Sequence, residues 1–256
     1  MVDLNAHFSN PELTGEERAR YAWQISTPDL GEAGQKKLKA ARVLVSRVGG
    51  VGGAAALYLA AAGVGKIVLA HAGSLKLADL NRQILMTCEG LGEPRVECAR
   101  RGLVALNPNV EVELINENIS AANAAEIVGK VDLVVDAAPL FSERLAMNEQ
   151  VVRQRKIMID CAMYDFEAQV TTIIPGQTPC LACLVNQPPA GWKREFPVFG
   201  AVAGVVGTLG AVEAIKVLTG IGEPLAGRML IGSLREMSFR TVSIRRDPQC
   251  AVCGTV

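Results

Sequence analysis

The sequence predicts an α/β fold, a Rossmann-like, doubly wound and mostly parallel sheet with an antiparallel extension toward the C-terminus. Three observations predict it. Short apolar runs alternate with helical stretches about five times, as crossovers between parallel strands require. A glycine-rich turn follows the first apolar run and opens a helix. Further on, residues 167–174 and 237–244 read as strands without intervening crossover helices, which breaks the parallel rhythm.

The elements follow in order. Thr14-Gly-Glu-Glu17 has the spacing of a capping box, so a short helix begins there. The run 42–45 is a strand, 50–62 a helix and 66–70 a second buried strand. Residues 94–106 read as a helix, the alternating run 110–115 as a strand, and 121–128 as a helix. A buried strand at 131–136, a helix at 142–153 and a strand at 156–160 complete the alternation. Residues 1–19 are expected to form an N-terminal helical arm, and residues 20–256 a single α/β domain whose tail binds a metal.

Composition bounds the function. The chain has 256 residues, enough for one large domain with a real core. Half of them are apolar and only 4% aromatic, which favours close helix-on-sheet contact over an aromatic-rich sandwich. Twenty-six basic residues balance 26 acidic ones, so charge gives no support for a nucleic-acid or anionic-membrane partner. Residues 1–20 are polar and charged, unlike a signal peptide. The uncharged stretch 48–65 has the length of a membrane span, but it is rich in glycine and alanine and reads as a buried turn and helix.

Two motifs carry chemistry. Cys180-Leu-Ala-Cys183 and Cys250-Ala-Val-Cys253 supply four thiolates, the number that one tetrahedral zinc takes. Such a site would be a structural clasp fastening the tail to the body. The alternative is a set of buried reduced thiols. Seven cysteines leave an odd thiol in a fully disulfide-bonded chain, and reduced thiols imply a cytoplasmic protein. The second motif is Ser46-Arg-Val-Gly-Gly-Val-Gly-Gly53. A helix that starts there offers free N–H groups to phosphate. Arg47 stands where a dinucleotide fingerprint begins with glycine, and His71 where it holds an acid, so the pattern does not favour a nicotinamide cofactor. The glycines equally fit close helix–strand contact alone.

A series of segments then resembles one family. Arg20-Tyr-Ala-Trp-Gln-Ile25, Leu57-Tyr-Leu-Ala-Ala-Ala-Gly-Val-Gly65, Leu80-Asn-Arg-Gln83, Leu106-Asn-Pro108 and Tyr164-Asp-Phe-Glu-Ala-Gln169 occur in order. Pro179-Cys-Leu-Ala-Cys183, Glu213-Ala-Ile-Lys216, Met237-Ser-Phe-Arg240 and Arg246-Asp-Pro-Gln-Cys-Ala-Val-Cys253 follow. Together they are similar to the MoeB/ThiF/HesA family, bacterial relatives of ubiquitin-activating enzymes. The resemblance implies a homodimer, or a heteromer with a related subunit, and zinc held by Cys180, Cys183, Cys250 and Cys253. It implies adenylation by ATP, with Mg, of the C-terminal glycine of a ubiquitin-like sulfur-carrier protein. By the resemblance, Gly49, Gly50, Gly52, Arg47, Arg82, Gln83 and Arg95 fall at its nucleotide-binding positions, where Arg82 and Gln83 match its residues.

The chain departs from that pattern at charged positions. Trp23 stands at the arginine finger, Arg47 at the first glycine of the phosphate turn, and His71 at the ribose-holding aspartate. Asp79 replaces an asparagine, and Arg95 replaces the phosphate-binding lysine. Pro139 falls at the magnesium-binding aspartate, and no cysteine lies near residues 193–197. Arg82 reads as a phosphate ligand or, more plainly, a surface cation. Asp136 reads as a displaced acidic group or a solvated strand end. The departures leave a second function open, a catalytically inactive homologue that binds a carrier or an active subunit. A third is a reshaped pocket for another small molecule, lined by His71, Trp23 and Cys161.

Overall fold

The computed structural model describes residues 11–185 and 187–254. Residues 1–10 of the expected arm lie outside the described residues. Thr14 forms the capping box: Glu17 N donates to Thr14 Oγ1 at 3.1 Å, and Thr14 N donates to Glu17 Oε2 at 2.7 Å. Helix α1 (Gly15–Arg20) therefore starts where the spacing predicts. Two helices follow, α2 (Ala22–Ile25) and α3 (Gly31–Ala40).

The core is one eight-stranded sheet in the order β3-β2-β1-β4-β5-β6-β7-β8. Strands β1 (Arg42–Ser46), β2 (Lys66–Ala70), β3 (Glu111–Ile115), β4 (Leu133–Asp136) and β5 (Ile157–Tyr164) run parallel. Strands β6 (Glu167–Ile173), β7 (Arg228–Ser233) and β8 (Ser238–Ser243) extend the sheet antiparallel from β5. The central strands read as continuous apolar runs because both of their faces are covered. In β1, Val43 and Val45 face one core and Leu44 faces the other. In β2, Ile67 and Leu69 divide from Val68 and Ala70 in the same way.

Helices α4 (Gly50–Ala62), α5 (Arg95–Leu106) and α9 (Gly200–Thr219) cover the first face. Helices α6 (Ala124–Gly129), α7 (Phe141–Arg153) and α8 (Leu181–Leu184) cover the second. Small residues let α4 and α9 approach closely: a side chain at Gly207 would run into the Val51 carbonyl oxygen. By length and composition α9 passes as a membrane span, yet half of it is buried and it lies against α4 and β5. The stretch 48–65 is the turn, α4 and the start of the next strand connection, as expected.

Two differences from the sequence reading have physical causes. A 20-residue helix, α9, does stand between the late strands, and β7 separates β6 from β8. Helix α9 is apolar and rich in glycine and alanine on most sides, so no 3.6-residue stripe marks it. Helix α6 begins at Ala124, later than expected. Asn123 Oδ1 accepts from Ser120 N at 2.8 Å and Asn123 Nδ2 donates to Asn118 O at 3.0 Å, which commits the preceding residues to a turn.

Candidate functional site

The strand order reverses between β1 and β4, and in open α/β sheets that switch point leaves a crevice at the carboxyl ends of the strands. A cavity of about 330 Å³ lies there. Gly49, Gly50 and Val51 border it from the start of α4, and Ala137, Ala138 and Pro139 from the end of β4. Arg82 and Gln83 enter from the loop after β2, and Cys161 and Met163 from β5. Trp192, Arg194 and Phe196 arrive from the long connection between α8 and α9. The cavity thus gathers Arg47, Gly49, Gly50, Arg82 and Gln83, together with His71 and Cys161. Gly52 lies behind it, where a Cβ would sit 2.5 Å from the Arg47 carbonyl oxygen. Trp23 is 92% exposed and is not among the lining residues.

Arg47 has a backbone conformation that favours glycine. Its φ of 57° lies in the left-handed region, which costs a non-glycine residue roughly 1–2 kcal/mol. The side chain offsets this by a buried ion pair with Glu143 of α7, formed through Nε at 2.7 Å and through Nη2. Arg95 is also buried. Its Nε and Nη2 donate to Asp79 Oδ2 at 3.2 and 2.7 Å, and it is not a lining residue. Asp79 reaches Arg82 Nη2 as well, at 3.4 Å, so Arg95 acts on the cavity through Asp79 and Arg82. Hydrogen bonding to Arg95, acting against burial, holds the Asp79 carboxyl below the usual carboxylate range.

Asp136 is a fully buried anchor, which corrects its reading as a solvated strand end. It is register partner to Asp160, and one guanidinium serves both: Arg144 Nε donates to Asp136 Oδ2 at 3.2 Å and Nη2 to Asp160 Oδ1 at 2.7 Å. Ser46 Oγ and Ala138 N also donate to Asp136 Oδ1. Burial, helped by the charge of Asp160, pushes Asp136 up to about 7 against the pull of Arg144. Arg144 reaches the cavity lining and lies 5.1 Å from the Phe141 ring centroid. Sequence reasoning missed Arg144, Glu143 and Asp160. One signal was legible: two neighbouring apolar strands each end on an aspartate.

Aromatic rings form one wall. Trp192 meets Phe141 edge-on at 5.2 Å and Phe196 at 5.4 Å, and Tyr164 stacks on Phe196 at 6.0 Å. Trp192 Nε1 donates to the Pro139 carbonyl at 2.9 Å and so ties the connection to the end of β4.

Two residues bordering the cavity each carry a buried polar atom with no partner among the described residues, His71 Nδ1 and Gln83 Oε1. Burial drives the His71 imidazole down to about 3, and the positive charges of Arg47, Arg95 and Arg194 add to the effect. His71 is therefore neutral at physiological pH. The unfolded chain takes up this proton near pH 6.5 and the folded chain only near 3, so stability present above pH 6.5 is lost as pH falls. Between pH 7 and pH 4 the native chain is expected to lose about 3 kcal/mol more than a His71→Gln variant. Urea titrations of both proteins across that range check this, and parallel curves would contradict it.

The four clasp thiols converge. All four Sγ atoms lie within 4.8 Å of one another, with Cys180–Cys250 at 3.7 Å and Cys183–Cys253 at 3.4 Å. A tetrahedron with Zn–S bonds of about 2.3 Å has edges of about 3.8 Å, so the donor set fits zinc. Burial pushes the Cys180 thiol up to about 12. Burial also acts upward on Cys250, but the Cys253 and Val252 N–H groups outweigh it and bring that thiol down to about 7. The residues do not fit magnesium in the same way. Pro139 has no ligating side chain. Among the described residues bordering the cavity Glu167 is the sole carboxylate, since Asp136 and Asp160 are held by Arg144.

Sheet order, switch-point cavity and thiol cluster define the class, a Rossmann-like α/β protein of the ubiquitin-activating type with a ligand-sized cavity and a four-cysteine metal clasp. The chain belongs to the ThiF family, which matches residues 21–252. It is 46% identical to the heterocyst HesA protein of Trichormus variabilis over 94% of this chain and 91% of that protein. It is 41% identical to a sulfur carrier protein adenylyltransferase of Thermus thermophilus, over 94% and 92% of the two chains. Among solved structures, E. coli MccB with ATP superposes with a TM-score of 0.80 at 25% identity, covering 96% of this chain and 75% of that one.

Proposed function

We propose that this chain activates the C-terminal glycine of a ubiquitin-like sulfur-carrier protein by adenylation, and that the switch-point cavity receives both the nucleotide and the carrier tail. The observation that carries this is the convergence of the α4 amide groups with Arg47, Arg82 and Gln83 on one cavity, in a chain 41% identical to a sulfur carrier protein adenylyltransferase. In the reaction a carboxylate oxygen of the tail attacks the α-phosphorus of ATP. That P–O bond forms as the bond to pyrophosphate breaks, leaving an acyl adenylate and free pyrophosphate. Both reactants are anions, so the chain's contribution is positioning and charge neutralisation. The N–H groups of Gly50 and Val51 lie in the first turn of α4, at the cavity, where they can meet phosphate oxygens. Arg82 and Gln83 flank them, and Arg95 positions Arg82 through Asp79. Asp136 positions Arg144.

Zinc at the four cysteines would hold the tail and α8 against α7 and take no part in the transfer. The thiol cluster suits a reducing compartment, which supports a cytoplasmic setting. We extend the proposal to a paired assembly, a homodimer or a heteromer with a related subunit, and to a division into an arm at 1–19 and one domain at 20–256.

One observation favours a second reading, a carrier-binding subunit without adenylation: Pro139 stands where a metal-binding carboxylate is expected. Isotope exchange between pyrophosphate and ATP, with candidate carrier proteins added, separates the two. Carrier-dependent exchange is expected. A stable carrier complex without exchange would replace the first reading by the second.

A further inference from the structure

The cavity's charge and its ligands do not match a metal-dependent site. Arg47, Arg82, Arg144 and Arg194 all border it, with Glu167 the one carboxylate in the lining among the described residues. Glu143 balances Arg47, Asp136 and Asp160 balance Arg144, and Arg95 balances the Asp79 that touches Arg82, so Arg82 and Arg194 supply the uncompensated positive charge. Two of these cations are fixed in place. Arg144 is 8% exposed, stretched between Asp136 and Asp160, and Arg47 is 6% exposed, gripped by Glu143. Each spends Nε and Nη2 on its carboxylates, and among the described residues neither Nη1 has a protein partner. Arg194 has no carboxylate partner among the described residues and comes from the connection that closes the cavity beside Trp192. His71 and Gln83 border the same space, although their Nδ1 and Oε1 atoms are buried away from it, without partners among the described residues.

We propose that this cavity is a polyphosphate site built on guanidinium groups: Arg144 and Arg47, fixed from below by buried carboxylates, offer directed N–H donors, and Arg82 and Arg194, coming from the loops, add the counter-charge, in place of a protein-held magnesium ion. The inference rests on the reading of the cavity as the nucleotide site, and it adds where the positive charge comes from. Asp136, Asp160 and Glu143 are then ligands of guanidinium groups rather than of a metal. The arrangement has a chemical logic. A preorganised guanidinium needs no dehydration step and offers fixed, directed donors to phosphate oxygens, whereas magnesium demands carboxylate or water oxygens in near-octahedral order.

Calorimetric titration of the full chain with ATP, with inorganic pyrophosphate and with AMP, each in excess EDTA and again in excess magnesium, tests this. ATP and pyrophosphate are expected to bind in EDTA at least as tightly as in magnesium, because the free polyanion carries more charge than its metal complex. Arg194→Ala and Arg82→Ala are each expected to weaken ATP binding about tenfold or more and to reduce its salt dependence. Arg194 is exposed, and Arg82 is half-buried beside an Asp79 that Arg95 already balances, so the variants should fold. Binding of ATP that appears only with magnesium, binding indifferent to both arginine variants, or no binding of ATP and pyrophosphate would each overturn the inference. Pyrophosphate exchange with carriers is scored separately. Metal-free binding without exchange leaves this inference standing and removes adenylation. Exchange with binding abolished by EDTA does the reverse.

Discussion

Arg144→Met is expected to destabilise the chain by about 3–5 kcal/mol, because it leaves Asp136 and Asp160 buried side by side with no cation between them. Both carboxylates are almost completely inaccessible and oppose one another across β4 and β5. One of them must then take up a proton to remain in the core. Since Asp136 already titrates near 7 with Arg144 present, the loss grows as pH rises and shrinks as pH falls toward the ordinary carboxylate range. Guanidinium unfolding of the native and variant chains at pH 6 and pH 8.5 measures both effects. A triple variant that adds Asp136→Asn and Asp160→Asn is expected to recover most of the loss. A single variant within about 1 kcal/mol of the native chain would mean that the cluster does not hold the sheet's centre as described.

The second large effect is expected at the clasp. A metal-replete chain should carry about one zinc, and Cys180→Ser should lose it, because Cys180 is the most buried of the four ligands and faces Cys250 directly. When free metal stands about a thousandfold above its dissociation constant, its loss removes about 4 kcal/mol. The damage should be local at first. Residues 246–254 and α8 lose their anchor against α7, where Leu181 N donates to Asn148 Oδ1 at 2.8 Å. Metal analysis, thermal unfolding and protease sensitivity of the tail provide the check. A metal-free native chain with an equally protected tail would refute the clasp.

Much of the architecture was legible because it rests on strong local signals. Strands β1, β2 and β4 are covered on both faces, so their apolar runs are dense, and a glycine turn marks the entry to α4. The capping box at Thr14 appeared at its expected atoms. Where burial is partial or all-round, the signal fades. Strand β7 is mostly half-exposed, and α9 is apolar on most sides, so neither shows a clean period.

The site divides in the same way. The glycines, Arg47, Arg82, Gln83 and the four cysteines stand in compact motifs that can be read along the chain. The partners of those residues cannot. Glu143 lies 96 residues from Arg47, and Arg144 joins two strand ends to a helix between them. A charged residue in the first turn of an apolar-faced helix looks like a solvated surface group until the third dimension brings a buried counter-ion to it. Arg47 gives the converse lesson. Its side chain breaks the glycine fingerprint in the sequence, yet its backbone takes a left-handed conformation of the kind glycine favours.

The clasp has a consequence for ligand traffic. Cys180 and Cys250 are 70 residues apart, and the stretch between them contains Trp192, Arg194 and Phe196. Cys183 stands just before the connection that carries these residues to the cavity, and α9 follows it, so the clasp anchors one end of that cavity wall and the core helix the other. A demetallated chain would loosen that anchor, and its first symptom would be faster ligand escape rather than unfolding, whereas a disulfide between Cys180 and Cys250 would keep the two ends joined.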